Sequence, residues 1–256
     1  MAIRWLYVWA SLCTCVACAQ HRLPNGSSPL TTIHVAAASD LTPAFSEIGG
    51  LLESKKAIKA VFTFGSSGLL AKQIEHGAPF DLFASASGSF VDRTESLGLV
   101  VEGSRQVFAI GRLAVWQRED APVPLQTVSD LANPAIRRIA IANPEHAPYG
   151  RAAREALEHG RLWEAMKEKI VFAENVAQAF QFAQTGNVDA AVVAQSLATG
   201  RDGRVVPIEP QAHAPIDQTV CILKRARQIV ACRQFVEFLL SAEGQAVLQR
   251  YGFALP

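Results

Sequence analysis

The chain has 256 residues, half of them hydrophobic, with 18% charged residues and a formal net charge of +1. That composition excludes a disordered chain and suffices for a large core in one domain or two modest ones. The near-neutral balance, with no Lys/Arg run longer than a pair, argues against a nucleic-acid partner.

After Arg4 an uncharged apolar stretch runs to Ala19. A basic start, an apolar middle and the small-x-small end Ala17-Cys18-Ala19 predict a signal peptide over residues 1–19. The stretch is short for a membrane span, which needs about 20 apolar residues. Val16-Ala17-Cys18 also fits the end of a lipoprotein signal, although Cys15 stands where such signals favour leucine. Either route predicts a periplasmic or membrane-anchored extracytoplasmic protein. Residues 20–31 are polar and rich in Gly, Pro and Ser, and predict a flexible linker. Cys221 and Cys232 are the cysteines of the body. A disulfide suits an exported chain, and buried free thiols behave as small apolar residues, so both states stand open. No cysteine spacing suggests a metal site.

The body alternates strand and helix patterns. Residues 33–38 (IHVAAA) read as a buried strand, and Leu41, Phe45, Ile48 and Leu52 recur at helical spacing. Residues 60–64 predict a strand, 68–76 a helix and 81–86 a third strand. Residues 106–117 (QVFAIGRLAVWQ) predict one long strand crossing between lobes. A second unit follows. It has strands at 138–143, 169–173 and 189–194 and helices at 150–158 and from Val176. Residues 218–224 would cross back, and 233–251 predict a single terminal helix. Apolar strands in strand-helix-strand order point to parallel sheets covered on both faces. The predicted division is 32–107 with 219–256 as the first lobe and 108–218 as the second. Open α/β sheets bind ligands beyond the carboxyl ends of their strands.

The junctions there are rich in small and hydroxyl residues. Ser39 ends the first strand, and Ser66 and Ser67 enter a helix between Gly65 and Gly68. Tyr149-Gly150 and Asn175-Val176 enter helices of the second unit. A helix N-terminus offers unpaired N–H groups and partial positive charge, so several converging ones bind an anion without Lys or Arg. For any one such serine, plain N-capping is the commoner role. The pattern gains meaning by repetition in both units. His146 reads as a structural loop residue and His34 as a partly buried strand residue. Glu145 and Asp40 are candidates for an acid pair, with nothing to place them together. Ser67 as a nucleophile would need a base and an orienting carboxylate, and no local motif supplies them. Trp116 and Trp163 read as packing residues.

The segments AAASDLTPAF, FGSSGLLAKQIEHGAPFDLFASA, IANPEHAPYGRAAREAL, ENVAQAF and the terminal YGF resemble the periplasmic molybdate-binding proteins of ABC importers, in order, from Ile33 to Phe253. The resemblance implies an α/β, two-lobed type II periplasmic binding fold with the ligand cleft between the lobes. It implies that the hydroxyls of Ser39 and Ser67 and the backbone N–H groups of Tyr149 and Val176 hold molybdate or tungstate. Ser66 is a secondary candidate. Ala194 stands where some members place a tyrosine hydroxyl. Loss of a hydrogen bond to a charged group costs about 1.5–3 kcal/mol. The resemblance further implies delivery to an inner-membrane ABC permease, a monomer, no cofactor, no metal cation and no catalysis. A fully deprotonated dianion offers only acceptors, so a donor-only site suits it, and sulfate would differ only in size. Asp40 would repel a dianion if it faced the cleft, so it is expected to face away, towards its helix N-terminus. Two alternatives are a binding protein or sensor for another tetrahedral oxyanion, and a serine hydrolase using Ser67.

Overall fold

The computed structural model describes Met1 and residues 30–256. The predicted signal peptide, Cys18 and most of the linker lie outside the described residues. In chain order the elements are β1 (Thr31–Ala38), a 3-10 turn (Ser39–Leu41), α1 (Thr42–Lys56), β2 (Ile58–Gly65), α2 (Ser67–Glu75), β3 (Leu82–Ser85), α3 (Gly88–Ser96), β4 (Gln106–Gly111) and β5 (Leu113–Gln117). Then follow β6 (Ile139–Ala142), α4 (Pro148–His159), α5 (Trp163–Met166), β7 (Ile170–Ala173), α6 (Val176–Gln184), β8 (Ala190–Ala194), α7 (Gln195–Ala198), β9 (Arg204–Pro207), β10 (Ile216–Ile222), α8 (Ile229–Leu240) and α9 (Ala242–Arg250).

The strands form two five-stranded sheets, β2-β1-β3-β10-β4 and β7-β6-β8-β5-β9, one in each lobe. The sheets are mixed, not wholly parallel as the strand order suggests. β1 runs parallel to β2 and β3, and β6 parallel to β7 and β8, as strand-helix-strand units require. β10 is antiparallel to β3 and β4, and β5 is antiparallel to β8 and β9. These antiparallel strands flank the passages between the lobes. The long strand expected over 106–117 is therefore two, broken at Arg112, where the chain leaves the first sheet for the second.

Each sheet buries its own aromatic cluster. Phe45 of α1 packs against Phe62, Phe108 and Phe235 at centroid distances of 5.6, 5.9 and 5.6 Å. Trp116 of β5 meets Phe180 of α6 edge-on at 5.0 Å, which makes Trp116 a packing residue. Trp163 lies under the Arg154 guanidinium at 5.1 Å. The single helix expected over 233–251 is two. Ser241 has extended backbone and its side chain accepts from Gly244 N–H, starting α9 anew. Cys221 and Cys232 are free, buried thiols, each pushed up to about 12 chiefly by burial, so the disulfide is not formed. His34 is exposed, not partly buried. No helix among the described residues is long and apolar enough to cross a membrane.

Candidate anion site

The first turns of α2, α4 and α6, with the turn after β1, face one another across the cleft. Between them lies a small cavity. It is lined by Ser39, Asp40, Ser66, Ser67, Tyr149 and Val176, with the small residues Ala38, Gly65, Ala86, Ala147 and Pro148. The four sites expected from the sequence thus come together, and no Lys or Arg lines the space. Ala194 is buried at the end of β8 and is not among the lining residues.

The serine hydroxyls are arranged as donors. Ser67 Oγ accepts from Ala86 N–H at 3.0 Å, and Ser39 Oγ accepts from Ala177 N–H at 3.4 Å. A hydroxyl has one hydrogen and room to accept. Both hydroxyls here are fixed through their acceptor side, which leaves the hydrogens for the cavity. The helix ends are handled in the same way. The side chains of Ser66 and Ala147 at the N-cap positions of α2 and α4 cap nothing, and Pro148 occupies the first turn of α4. Asn175 does cap α6, but it takes Gln178 N–H and leaves Val176 N–H alone. The first N–H groups of a helix have no intrahelical partner. Ser67, Tyr149 and Val176 stand at those positions. Gly150 permits the approach of α4, since a Cβ there would lie 2.2 Å from the Ala142 carbonyl oxygen.

Asp40 departs from expectation. It lies in the first turn of the 3-10 helix but is fully buried and lines the cavity it was expected to face away from. Its Oδ2 accepts from Gln218 Nε2 at 2.7 Å. Its main-chain carbonyl accepts from Ser196 Oγ of α7 at 2.8 Å. Tyr149 carries its hydroxyl to the same cluster, where the missing side chain of Gly111 makes room: a Cβ would stand 2.2 Å from that oxygen. Asp40 Oδ1, Tyr149 OH and Gln218 Oε1 are all buried without a well-formed hydrogen bond. Burial raises Asp40 from 3.8 to about 7, against smaller opposing effects of the Tyr149 hydroxyl and the Gln218 amide. Burial, then the Asp40 charge, raises Tyr149 well above 10. Gln218 is not singled out by any motif in the sequence. It stands between Asp217 and Thr219 in β10 and is fully buried in the fold.

Other candidates separate from the site. Glu145 is exposed and makes no acid pair with Asp40. Ser67 has no histidine partner. His146 instead meets Ser66, whose hydrogen goes to the His146 carbonyl oxygen at 2.6 Å. A larger groove lies at the start of β1, between His34, Asp81, Arg225 and Arg227. There Asp81 is occupied by the main-chain N–H groups of His34 and Arg227 at 2.7 and 3.0 Å. The start of α8 at Gln228 borders that groove, whereas three helix starts converge on the cleft.

Residues 33–254 match the family model of the bacterial extracellular solute-binding proteins. The molybdate-binding protein ModA of Azotobacter vinelandii is 34% identical over 229 residues, covering 87% of this chain and 90% of that protein. ModA of Rhodobacter capsulatus is 32% identical over 219 residues, covering 85% and 86%. The solved structure of the Azotobacter vinelandii periplasmic molybdate-binding protein superposes with a TM-score of 0.82 at 28% identity, over 88% of this chain and 99% of that one. Matched along nearly all of its described length, with two mixed sheets around a cleft of helix N-termini, the chain belongs to the bacterial extracellular solute-binding protein family.

Proposed function

We propose that the cleft binds a fully deprotonated tetrahedral oxyanion, molybdate or tungstate, and that the protein hands it to an ABC permease. One observation carries this reading. Beside the Asp40 carboxyl, whose neutral form burial favours, the groups free to act at the cavity are donors: the Ser39 and Ser67 hydroxyls, held from their acceptor side, and the backbone N–H groups of Tyr149 and Val176 at helix starts. Such donors favour negative charge through both hydrogen bonding and the partial charge of the helix ends. Each hydrogen bond to a charged partner contributes about 1.5–3 kcal/mol, so a few suffice for tight capture. The names of the relatives supply the anion: those at 32% and 34% identity are molybdate-binding proteins.

In this reading the protein acts outside the cytoplasm as a monomer after loss of its leader, and the signal-like N-terminus supports that location. It performs no chemistry. Ser67 has a main-chain N–H and no base as its partner, which leaves the hydrolase alternative unsupported. Sulfate is the competing ligand, because it is also an acceptor-only dianion. Titration calorimetry with molybdate, tungstate, sulfate and phosphate tests the assignment. Molybdate and tungstate are expected to bind one per chain and far more tightly than sulfate, with phosphate weakest. Tight sulfate binding with weak molybdate binding would reassign the cargo, and no binding of any of the four would end the reading.

A further inference from the structure

Ser66 and His146 join the lobes beside the anion cavity without offering it a donor. Ser66 stands at the N-cap position of α2 with extended backbone (φ −71°, ψ 135°), yet its hydroxyl caps no N–H of that helix. It donates across the cleft to the His146 carbonyl oxygen at 2.6 Å and lies 2.9 Å from His146 Nδ1. A hydroxyl has one hydrogen. That hydrogen is committed to the carbonyl, so Nδ1 carries the hydrogen of the second bond and donates to Oγ. The same carbonyl accepts from Gly68 N–H at 3.0 Å. A Cβ at residue 68 would stand 2.7 Å from that oxygen, so this approach requires glycine. Ser66 and Gly68 belong to the first lobe, and His146 precedes α4 in the second.

We propose that Ser66 and His146 form a latch, made only of protein groups, that favours the closed cleft and slows release of whatever anion it holds. The inference rests on the anion-binding reading for its kinetic consequence, but the closure itself needs no ligand. The Ser66 hydroxyl is wholly engaged with His146, so it has no hydrogen to give an anion. A bond present only in the closed form shifts the open–closed balance by its own free energy, whatever the cargo. Association starts from the open cleft, so a latch that closes the free protein slows capture as well as release, and its loss speeds both. His146 is a positioning residue here. Asparagine places its amide N–H near the Nδ1 position, whereas alanine removes the donor.

Stopped-flow kinetics with molybdate and tungstate, and small-angle scattering of the ligand-free protein, test the latch. Ser66→Ala is expected to speed dissociation of both anions by the same factor, about 3- to 10-fold, and to speed association in step with the gain in open free protein. His146→Ala is expected to give a smaller increase and His146→Asn to restore the wild-type rate. Ligand-free Ser66→Ala should scatter as a more open particle than wild type. If the anions fail to bind while Ser66→Ala still opens the free protein, the cargo assignment fails and the latch stands. Unchanged dissociation and unchanged scattering in Ser66→Ala overturn the latch, and His146→Asn behaving like His146→Ala overturns the role of Nδ1.

Discussion

Ser67→Ala is expected to weaken molybdate binding about 10- to 100-fold while leaving the fold intact, as the loss of one hydrogen bond to a charged group implies. Ser67 is 1% exposed, and its hydroxyl oxygen is pinned by Ala86 N–H at 3.0 Å. The hydrogen therefore has a defined direction before the ligand arrives, and little entropy is lost in aiming it. Removing the hydroxyl also leaves Ala86 N–H without its acceptor, so a modest loss of stability accompanies the loss of affinity. Calorimetry and a urea transition on the same variant separate the two. The Ser67→Ala effect should depend on the anion, because the hydroxyl touches it. The Ser66→Ala effect should not, because that hydroxyl touches the other lobe. An Ser67→Ala variant that binds molybdate like wild type would remove the serine from the site.

Asp40→Asn is expected to change how stability depends on pH. Burial lifts Asp40 from 3.8 to about 7, so the folded state holds its proton more tightly than the unfolded chain. The sign follows from linkage. Stability from this group is fully present below 3.8, where both states are protonated. It falls as pH rises from there through about 7, because the unfolded chain ionises freely and the folded one cannot. Above that the loss levels off. At about 1.4 kcal/mol per pKa unit, wild type loses about 4–5 kcal/mol across the window, and the asparagine variant does not lose this contribution. Asparagine can still accept from Gln218 and brings an N–H₂ for the unpartnered oxygens of Tyr149 and Gln218. Denaturation midpoints of the two proteins should converge near pH 4 and separate by pH 8, with the variant the more stable. Parallel profiles would show that Asp40 ionises as an ordinary carboxylate.

Much of this architecture is legible in the sequence, and the reason is local. Helix entrances are written as small and hydroxyl residues after apolar strands, so Ser39, Ser67, Tyr149 and Val176 can be singled out before any fold is known. Their convergence on one cavity follows from strand order. What is not legible depends on contacts between distant segments. Asp40 sits two residues after the apolar strand that ends at Ala38 and looks like an ordinary helix-start carboxylate. Only the fold brings Gln218, 178 positions away, to its side and closes α4 over both. Ser66 reads as a helix cap because that is what serine does locally, and its partner lies 80 positions on. The antiparallel strands are hidden for a similar reason. Nothing in QVFAIGRLAVWQ announces that Arg112 is where one sheet ends and the other begins.

The central claim is the position of the anion, and diffraction at the molybdenum absorption edge from crystals grown with molybdate tests it most directly. The account predicts one strong anomalous peak between the lobes, within hydrogen-bonding reach of the Ser39 and Ser67 hydroxyls and of the Tyr149 and Val176 N–H groups. An empty cleft, or a peak only in the groove beside Arg225 and Arg227, would contradict it.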